Sequence, residues 1–155
     1  QDLIYPASGS INGSPALYDL DNSGDLEIIF TTDYNSSGKV YAINYNGENV
    51  DGFPVDIGEK MLVGAAVADL ENDGIADIVV CTWGENIYSL TQNGTIKNGF
   101  PFTSGKRFNA PPTLVDLTLD GNLEIVAGND DGILPQLPVS QQTIRMAQPL
   151  VARTT

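Results

Sequence analysis

The chain has 155 residues, 41% of them hydrophobic and 17% charged, a composition that suits one globular domain with a buried core. Its formal net charge of −13, with only seven Lys and Arg, argues against nucleic-acid binding, which relies on cations at phosphates. No apolar run approaches the roughly 20 residues of a membrane-spanning helix, so no membrane span is expected. Histidine, the commonest general base, is absent.

One acidic motif of nine residues occurs three times, beginning at residues 19, 69 and 116. Each copy has oxygen-bearing side chains at its first, third, fifth and ninth positions and a glycine at its sixth. A repeat length of about 50 residues is typical of propeller blades and related repeat arrays. The motif therefore predicts a repeat protein.

Each acidic motif lies between two predicted β-strands, the first rich in small residues and the second in β-branched residues. In the first two copies a third strand and an Asn-Gly turn follow, and then a Gly-Phe-Pro segment. Proline cannot donate to a ladder, so this last segment is predicted to be an edge strand. No stretch has a helical apolar period, so no helix is expected. The predicted strands are 14–18, 28–32, 40–43, 52–55, 64–68, 78–82, 87–90, 99–102, 112–115 and 125–127.

Four short antiparallel strands per repeat predict an all-β fold of β-propeller blades, about three per chain. The pattern is lost at Pro135, which the repeat alignment places inside a third strand. The predicted boundaries are residues 1–10 for the last strand of a preceding blade, 13–57 and 62–104 for two blades, 110–134 for a partial blade, and 135–155 for an irregular tail after the repeats of 1–134.

The oxygen ligands of each motif predict a site for a hard divalent cation. Ca²⁺ takes six to eight oxygens at about 2.3–2.6 Å in irregular geometry, whereas Mg²⁺ requires a stricter octahedron. Side chains at positions one, three and five, a backbone carbonyl at seven and a carboxylate at nine can surround one ion once a glycine has turned the chain. The predicted ligands are Asp19, Asp21, Ser23, Asp25 and Glu27; Asp69, Glu71, Asp73, Ile75 and Asp77; and Asp116, Thr118, Asp120, Asn122 and Glu124.

Up to three Ca²⁺ ions are therefore expected, and the second motif, which is acidic at all four side-chain ligand positions, is expected to bind most tightly. A turn rich in Asp, Asn and Gly without any metal is the alternative interpretation of one copy. Three copies in register favour the metal. Zinc and iron would lack their usual nitrogen and sulfur ligands here.

The run from residue 62 to residue 80 resembles the FG-GAP repeat, also described as the VCBS type, a family that includes the α-subunit head of integrins and many bacterial secreted proteins. The resemblance covers about residues 1–134. It implies propeller blades with Ca²⁺ held between the first two strands of a blade, in a secreted, cell-surface or periplasmic protein. Ser23 and Thr118 are neutral where the family usually has acidic residues.

The resemblance further implies adhesion or ligand recognition, with an unidentified protein or glycan as the partner and calcium in a structural role. Trp83 and Tyr34, which follow second strands, are candidate contacts, with plain packing as the alternative. The rival hypothesis is a catalytic or non-catalytic propeller part of a carbohydrate-active enzyme such as a polysaccharide lyase. The missing histidine and the commitment of the acidic residues to metal argue against an enzyme. Cys81, within an apolar run, is expected to be a buried, unreactive thiol.

Three blades cannot close a ring, and open sheet edges invite pairing. One hypothesis is a homodimer in which each N-terminal strand completes the third blade of the other chain, giving a six-bladed propeller. The alternative is that the remaining blades lie elsewhere in a longer protein.

Overall fold

The computed structural model describes residues 4–132 and 136–137, and this part of the chain holds β-strands and no helix. The predicted all-β class is therefore confirmed. No helix among the described residues is long and apolar enough to cross a membrane. The strands are β1 (Ala16–Tyr18), β2 (Glu27–Tyr34), β3 (Ser37–Ile43), β4 (Val55–Asp56), β5 (Ala66–Ala68), β6 (Asp77–Cys81), β7 (Asn86–Thr91), β8 (Phe102–Thr103), β9 (Thr113–Val115), β10 (Glu124–Val126) and β11 (Gln136–Leu137).

The strands form three open antiparallel sheets, one for each acidic motif. The first sheet has the order β1-β2-β3-β4, the second β5-β6-β7-β8, and the third β9-β10-β11. Each strand therefore pairs with its neighbour in sequence. The innermost strands lie side by side, β1 against β5 and β5 against β9. The sequence thus predicted correctly both the strand order within a repeat and its antiparallel pairing.

The fourth strands begin later than predicted. β4 starts at Val55 and β8 at Phe102, each directly after the proline of its Gly-Phe-Pro segment. Proline has no N–H for a ladder, so pairing begins at the next residue. The edge strands are consequently only two residues long.

The third sheet extends into the segment predicted to be an irregular tail. Gln136 of β11 holds the place in its sheet that Ala42 and Ser89 hold in the third strands of the other two. Gln136 and Leu137 are thus part of a third strand, whereas Pro135 lies outside the described residues. The rest of the predicted tail, residues 138–155, lies outside the described residues.

Residues 4–10 form no continuous strand, in contrast to the strand predicted over residues 1–10. A fourth strand takes its hydrogen bonds from the third strand of its own sheet, as β4 does from β3. Here the only pairing is an isolated bridge between Ser10 and Asp33 of the first sheet. Tyr5 packs edge-on against Phe30 and Tyr41, with ring centroids 6.0 and 5.8 Å apart. This segment therefore covers the outer face of the first sheet.

The core consists of apolar side chains packed between adjacent sheets. Successive strand residues point to opposite faces, so Ile78 and Val80 of β6 face the first sheet while Val79 and Cys81 face the third. All five residues of β6 are buried because the second sheet is covered on both faces. Cys81 is buried as predicted, and burial raises the pKa of its thiol to about 12. A thiol with this pKa remains protonated and unreactive at neutral pH.

The leucine at the second position of each acidic motif links the loops to this core. Leu20 is fully buried between the first and second sheets, and Leu70 between the second and third. Leu117, at the same position of the third motif, is 51% exposed, since no described sheet packs beyond the third. The burial of this leucine therefore depends on the next sheet.

Leu20→Ala should lower the free energy of unfolding by about 2–5 kcal/mol, because it leaves a cavity between two sheets. Leu117→Ala is the matched control from the same motif position, and its effect should stay within about 0.5 kcal/mol. Denaturant unfolding of both variants measures the difference. Equal losses would show that the two leucines do not differ in packing.

Candidate metal-binding loops

The three acidic motifs form three loops with one shared backbone arrangement. The first loop (residues 19–27) joins β1 to β2, the second (69–77) joins β5 to β6, and the third (116–124) joins β9 to β10. The aspartate at position one accepts hydrogen bonds from the amides of positions five and six in every loop. The distances are 3.0 and 2.9 Å for Asp19, 3.0 and 2.7 Å for Asp69, and 3.2 and 2.9 Å for Asp116.

The fifth side chain continues the same arrangement by accepting the amide of position seven. Ser23 Oγ accepts from Asp25 at 3.4 Å, Asp73 from Ile75 at 2.9 Å and Asp120 from Asn122 at 2.9 Å. The amide of Asn122 holds the pKa of Asp120 below its usual value. In the first loop the carboxylate of Asp21 also accepts the amide of Ser23, at 3.0 Å. In every loop, backbone amides therefore donate to the side-chain oxygens at positions one and five.

The carboxylate at position nine is buried in all three loops. Glu27 and Glu124 are 3% exposed and Asp77 is 1% exposed. Each accepts the amide of the leucine at position two, at 2.8 Å in the first loop, 3.3 Å in the second and 2.7 Å in the third. A buried carboxylate needs a compensating charge or hydrogen bonds, and one amide is a small part of that compensation.

The turn of each loop requires two left-handed residues in place of the single one predicted. The glycine at position six has φ of 95°, 84° and 94° in the three loops, as the sequence indicated. Position four is also left-handed, with φ of 59° at Asn22, 55° at Asn72 and 59° at Leu119. Asparagine adopts this conformation readily, whereas leucine does so at a cost. The third loop therefore carries backbone strain that the others avoid.

The first loop brings three of its predicted ligands together. Carboxylate oxygens of Asp19, Asp21 and Glu27 all lie within 4.8 Å of one another. Two oxygens bound to one Ca²⁺ at about 2.3–2.6 Å are at most roughly 5 Å apart, so the set fits a single calcium ion. Burial raises the pKa of Glu27, the Leu20 amide lowers it, and the charges of Asp21, Asp19 and Asp25 raise it further. A bound cation would relieve this repulsion.

The acidic side chains of the third loop lie less close together than those of the first loop. Its position-three residue, Thr118, donates its hydroxyl to Glu124 at 3.4 Å instead of adding a charge. In the described residues, only the first loop brings three acidic side chains as close as 4.8 Å. Asp116, Asp120 and Glu124 retain the hydrogen-bonded loop geometry of the first site and supply carboxylates at positions one, five and nine.

The second loop contains a cation of the chain itself, which the sequence analysis missed. The ammonium of Lys97 contacts Glu71 and lies 2.7 Å from Asp77 Oδ1. The side chain of Lys97 is 20% exposed. Asp77 Oδ1 receives no well-directed hydrogen bond, so its contact with the ammonium is chiefly ionic. The side chains at positions three and nine of this loop, Glu71 and Asp77, therefore both contact Lys97.

The ionisation of this group reflects burial and mutual attraction. Burial raises the pKa of Asp77 to about 6, while close contact with the charged Lys97 acts in the opposite direction and the charge of Glu71 raises it. For Lys97, burial acts to lower the pKa, but the two carboxylates outweigh it and the pKa is raised. The ammonium form is thus favoured.

Neighbouring loops contact one another. The side-chain amide of Asn22 in the first loop donates to the carbonyl of Gly74 in the second, at 3.4 Å. The amide of Leu123 in the third loop donates to the carbonyl of Leu70 in the second, at 3.0 Å. The second loop therefore lies between the other two.

The two aromatic residues singled out as candidate contacts differ in environment. Tyr34 is 62% exposed at the end of β2. Trp83 is half-buried, with Lys60 Nζ 4.1 Å and Arg107 Cζ 5.2 Å from its ring centroid. Among the described residues, carboxylates pair with Lys39, Lys97 and Lys106. No described carboxylate pairs with Lys60 or Arg107. Both unpaired cations lie against the same indole.

Lys97 could have been found from the internal repeat. The amide of Lys97 donates to Ser89 as the amide of Val50 donates to Ala42, so the two residues hold equivalent positions after their Asn-Gly turns. A lysine in place of a valine beside an acidic loop is the signal. Its side-chain contact spans 26 residues, which no local pattern reveals.

The three open sheets and repeated acidic loops define an all-β repeat protein. Residues 19–80 match the family model described as FG-GAP-like repeat. This range begins at the first loop, contains the whole second loop and ends within β6. The resemblance noted in the sequence is therefore confirmed over residues 19–80.

Among solved structures, the crystal structure of the V. cholerae biofilm matrix protein Bap1 is similar to this chain. The TM-score is 0.60 and the identity 20%, over 88% of this chain and 25% of Bap1. The chain thus spans about a quarter of the length of that protein. At this identity the likeness concerns the fold. A search of curated protein sequences finds no match.

Leu119→Asn should stabilise the protein by about 1 kcal/mol, because it relieves a left-handed leucine that is 87% exposed and packs against little. Leu117→Asn, an exposed leucine in the same loop, is the control and should give no gain. Thermal melting of both variants in chelator, which leaves the loop free of metal, measures the difference. A destabilised Leu119→Asn would contradict the strain.

Proposed function

We propose that this chain is part of an extracellular recognition module in which calcium ions hold the acidic loops rigid and take no part in chemistry. The observation that carries the proposal is the convergence of Asp19, Asp21 and Glu27 in a loop that recurs in register. The FG-GAP-like match over residues 19–80 supports it. Bap1, similar in fold, is described as a biofilm matrix protein, which agrees with an extracellular location for this chain.

Calcium suits the first loop on physical grounds. The carboxylates of Asp19 and Asp21 are close together and that of Glu27 is buried, so an ion-free loop concentrates negative charge. A divalent cation removes this repulsion and fixes both ends of the loop at once. Extracellular calcium modules bind at roughly 10⁻⁴–10⁻³ M, so such a loop remains occupied outside the cell.

The three sheets are proposed to be blades of a propeller that further repeats complete. Adjacent innermost strands and apolar interfaces between consecutive sheets favour this arrangement. Strand exchange in a homodimer is less favoured than further repeats, because Tyr5 and Ala7 already pack on their own first sheet. A monodisperse dimer in light scattering would instead favour the hypothesis of a strand-exchanged, six-bladed homodimer.

The surface around Trp83 is proposed to be a partner contact. Lys60 and Arg107, lying against the indole with no carboxylate partner in the described region, can accept anionic groups while the ring contributes apolar area. In a chain of net charge −13, such a local cationic surface is distinctive. Carboxylate groups of an acidic glycan or protein have the required chemistry.

Calcium at 10 mM should raise the free energy of unfolding by about 1.4–2.7 kcal/mol per filled site, given the affinity typical of extracellular modules. EDTA should remove the gain, and magnesium should restore little of it. Asp21→Asn should reduce the calcium-dependent shift in melting temperature. Asp51→Asn, an exposed acid outside the loops, makes the same charge change and should leave the shift intact. Identical melting in calcium and EDTA would refute the proposal.

A panel of acidic and neutral polysaccharides tests recognition and the enzyme alternative together. Acidic members should bind in calcium, and the double variant Lys60→Gln/Arg107→Gln should weaken binding about tenfold or more. Lys39→Gln, whose ammonium is partly exposed and 3.8 Å from Asp56, is the control and should bind normally. No product should accumulate, and turnover of any member would establish an enzyme instead.

A further inference from the structure

The second loop differs from its two neighbours in having a cation of the same chain between its carboxylates. Lys97 reaches it from the segment after β7, where its amide donates to Ser89 at 2.8 Å. Its ammonium lies against Glu71 and 2.7 Å from Asp77 Oδ1. These are the third and ninth positions of the loop, which an ion in the first loop would bind through Asp21 and Glu27.

We propose that Lys97 is the resident cation of the second loop, so that this loop takes no calcium and the described chain binds at most two ions in place of three. The inference deepens the proposed function and rests on it for the flanking loops. It reverses the expectation that the second loop binds calcium most tightly.

The ammonium has a physical advantage over a free ion. Its backbone is fixed by the sheet, so binding in the loop carries little loss of translational freedom, and its effective concentration is in the millimolar range or above. Calcium would have to displace it from Asp77, which is 1% exposed, and leave a side chain of 20% exposure without its partners. Extracellular calcium, with affinities of roughly 10⁻⁴–10⁻³ M, does not overcome this.

The first repeat supplies the natural contrast. Val50 holds the position of Lys97, because its amide donates to Ala42 at 2.9 Å in the same ladder relation. Valine brings no charge towards Asp21 and Glu27, and those carboxylates lack an internal partner among the described cations. One residue at this position therefore decides whether a loop needs an external cation.

Terbium, a calcium substitute with strong anomalous scattering, locates the occupied sites directly. Crystals of the full chain grown with terbium should show peaks in the first and third loops and none in the second. A peak between Glu71 and Asp77 would overturn the inference. An absence of peaks in every loop would instead count against the proposed calcium role.

Placing a lysine at the equivalent position of the first repeat tests whether an internal ammonium excludes calcium from a loop. In Val50→Lys, the aliphatic stem can cover the apolar surface that valine covers while the ammonium reaches the first loop. Calorimetric titration should then find one calcium fewer than in wild type. Val50→Met adds a stem without charge and should keep the wild-type stoichiometry. Equal stoichiometry in both variants would overturn the inference.

Removing the ammonium tests it without any calcium. In EDTA, Lys97→Met leaves the buried Asp77 beside Glu71 with no cation, and its melting temperature should fall several degrees below wild type. Lys39→Met, which breaks a more exposed ion pair, should change it by far less. If Lys97→Met melts like wild type in EDTA, the ammonium does not stabilise the second loop and the inference fails, whatever calcium does elsewhere.

Discussion

The structure depends on burying one carboxylate in every repeat. Glu27, Asp77 and Glu124 all lie at the start of a second strand, almost inaccessible to water, and each holds the amide of the leucine at position two. That leucine packs between sheets in the first two repeats. The charge and the core are therefore coupled, because the carboxylate that orders the loop also places the side chain that joins one sheet to the next.

The three repeats compensate this buried charge in different ways. The first gathers carboxylates in a geometry suited to an external divalent cation. The second receives an ammonium from the same sheet. The third replaces one acid by Thr118, whose hydroxyl donates to Glu124. A common loop backbone thus accommodates clustered carboxylates, a lysine contact or a hydroxyl donor, because the loop amides are arranged alike in every copy.

Local patterns in the sequence predicted much of the fold. β-Branched residues marked β2 and β6, and the Asn-Gly turns marked the ends of β3 and β7. Glycine at position six predicted the left-handed turn, because few other residues adopt it. The third repeat was harder, since Pro135 suggested an interruption although Gln136 and Leu137 pair with β10.

The candidate site was predictable only in part. Local spacing in the sequence identifies the candidate ligands, but it does not show which other group neutralises their charge. Asp19, Asp21 and Glu27 are close in sequence and meet in space. Lys97 meets Glu71 across 26 residues, through a hairpin whose register no single motif encodes. Leu119 carries the left-handed conformation of Asn22 with no sequence signal beyond its place in the alignment. Leu20 and Leu117 occupy identical motif positions, and their burial differs only because a further sheet packs on one of them.

The leucine at position two also has a mechanical meaning. A protein made of such units behaves as a one-dimensional chain in which each unit touches only its neighbours. Order in one loop fixes a side chain that belongs to the next interface, so loosening one loop lowers the cohesion of the following pair. Under the proposed calcium role, extraction of the ions would therefore propagate disorder in one direction along the array. The second repeat would stop this spread of disorder, since Lys97 remains in its loop when the ions are withdrawn.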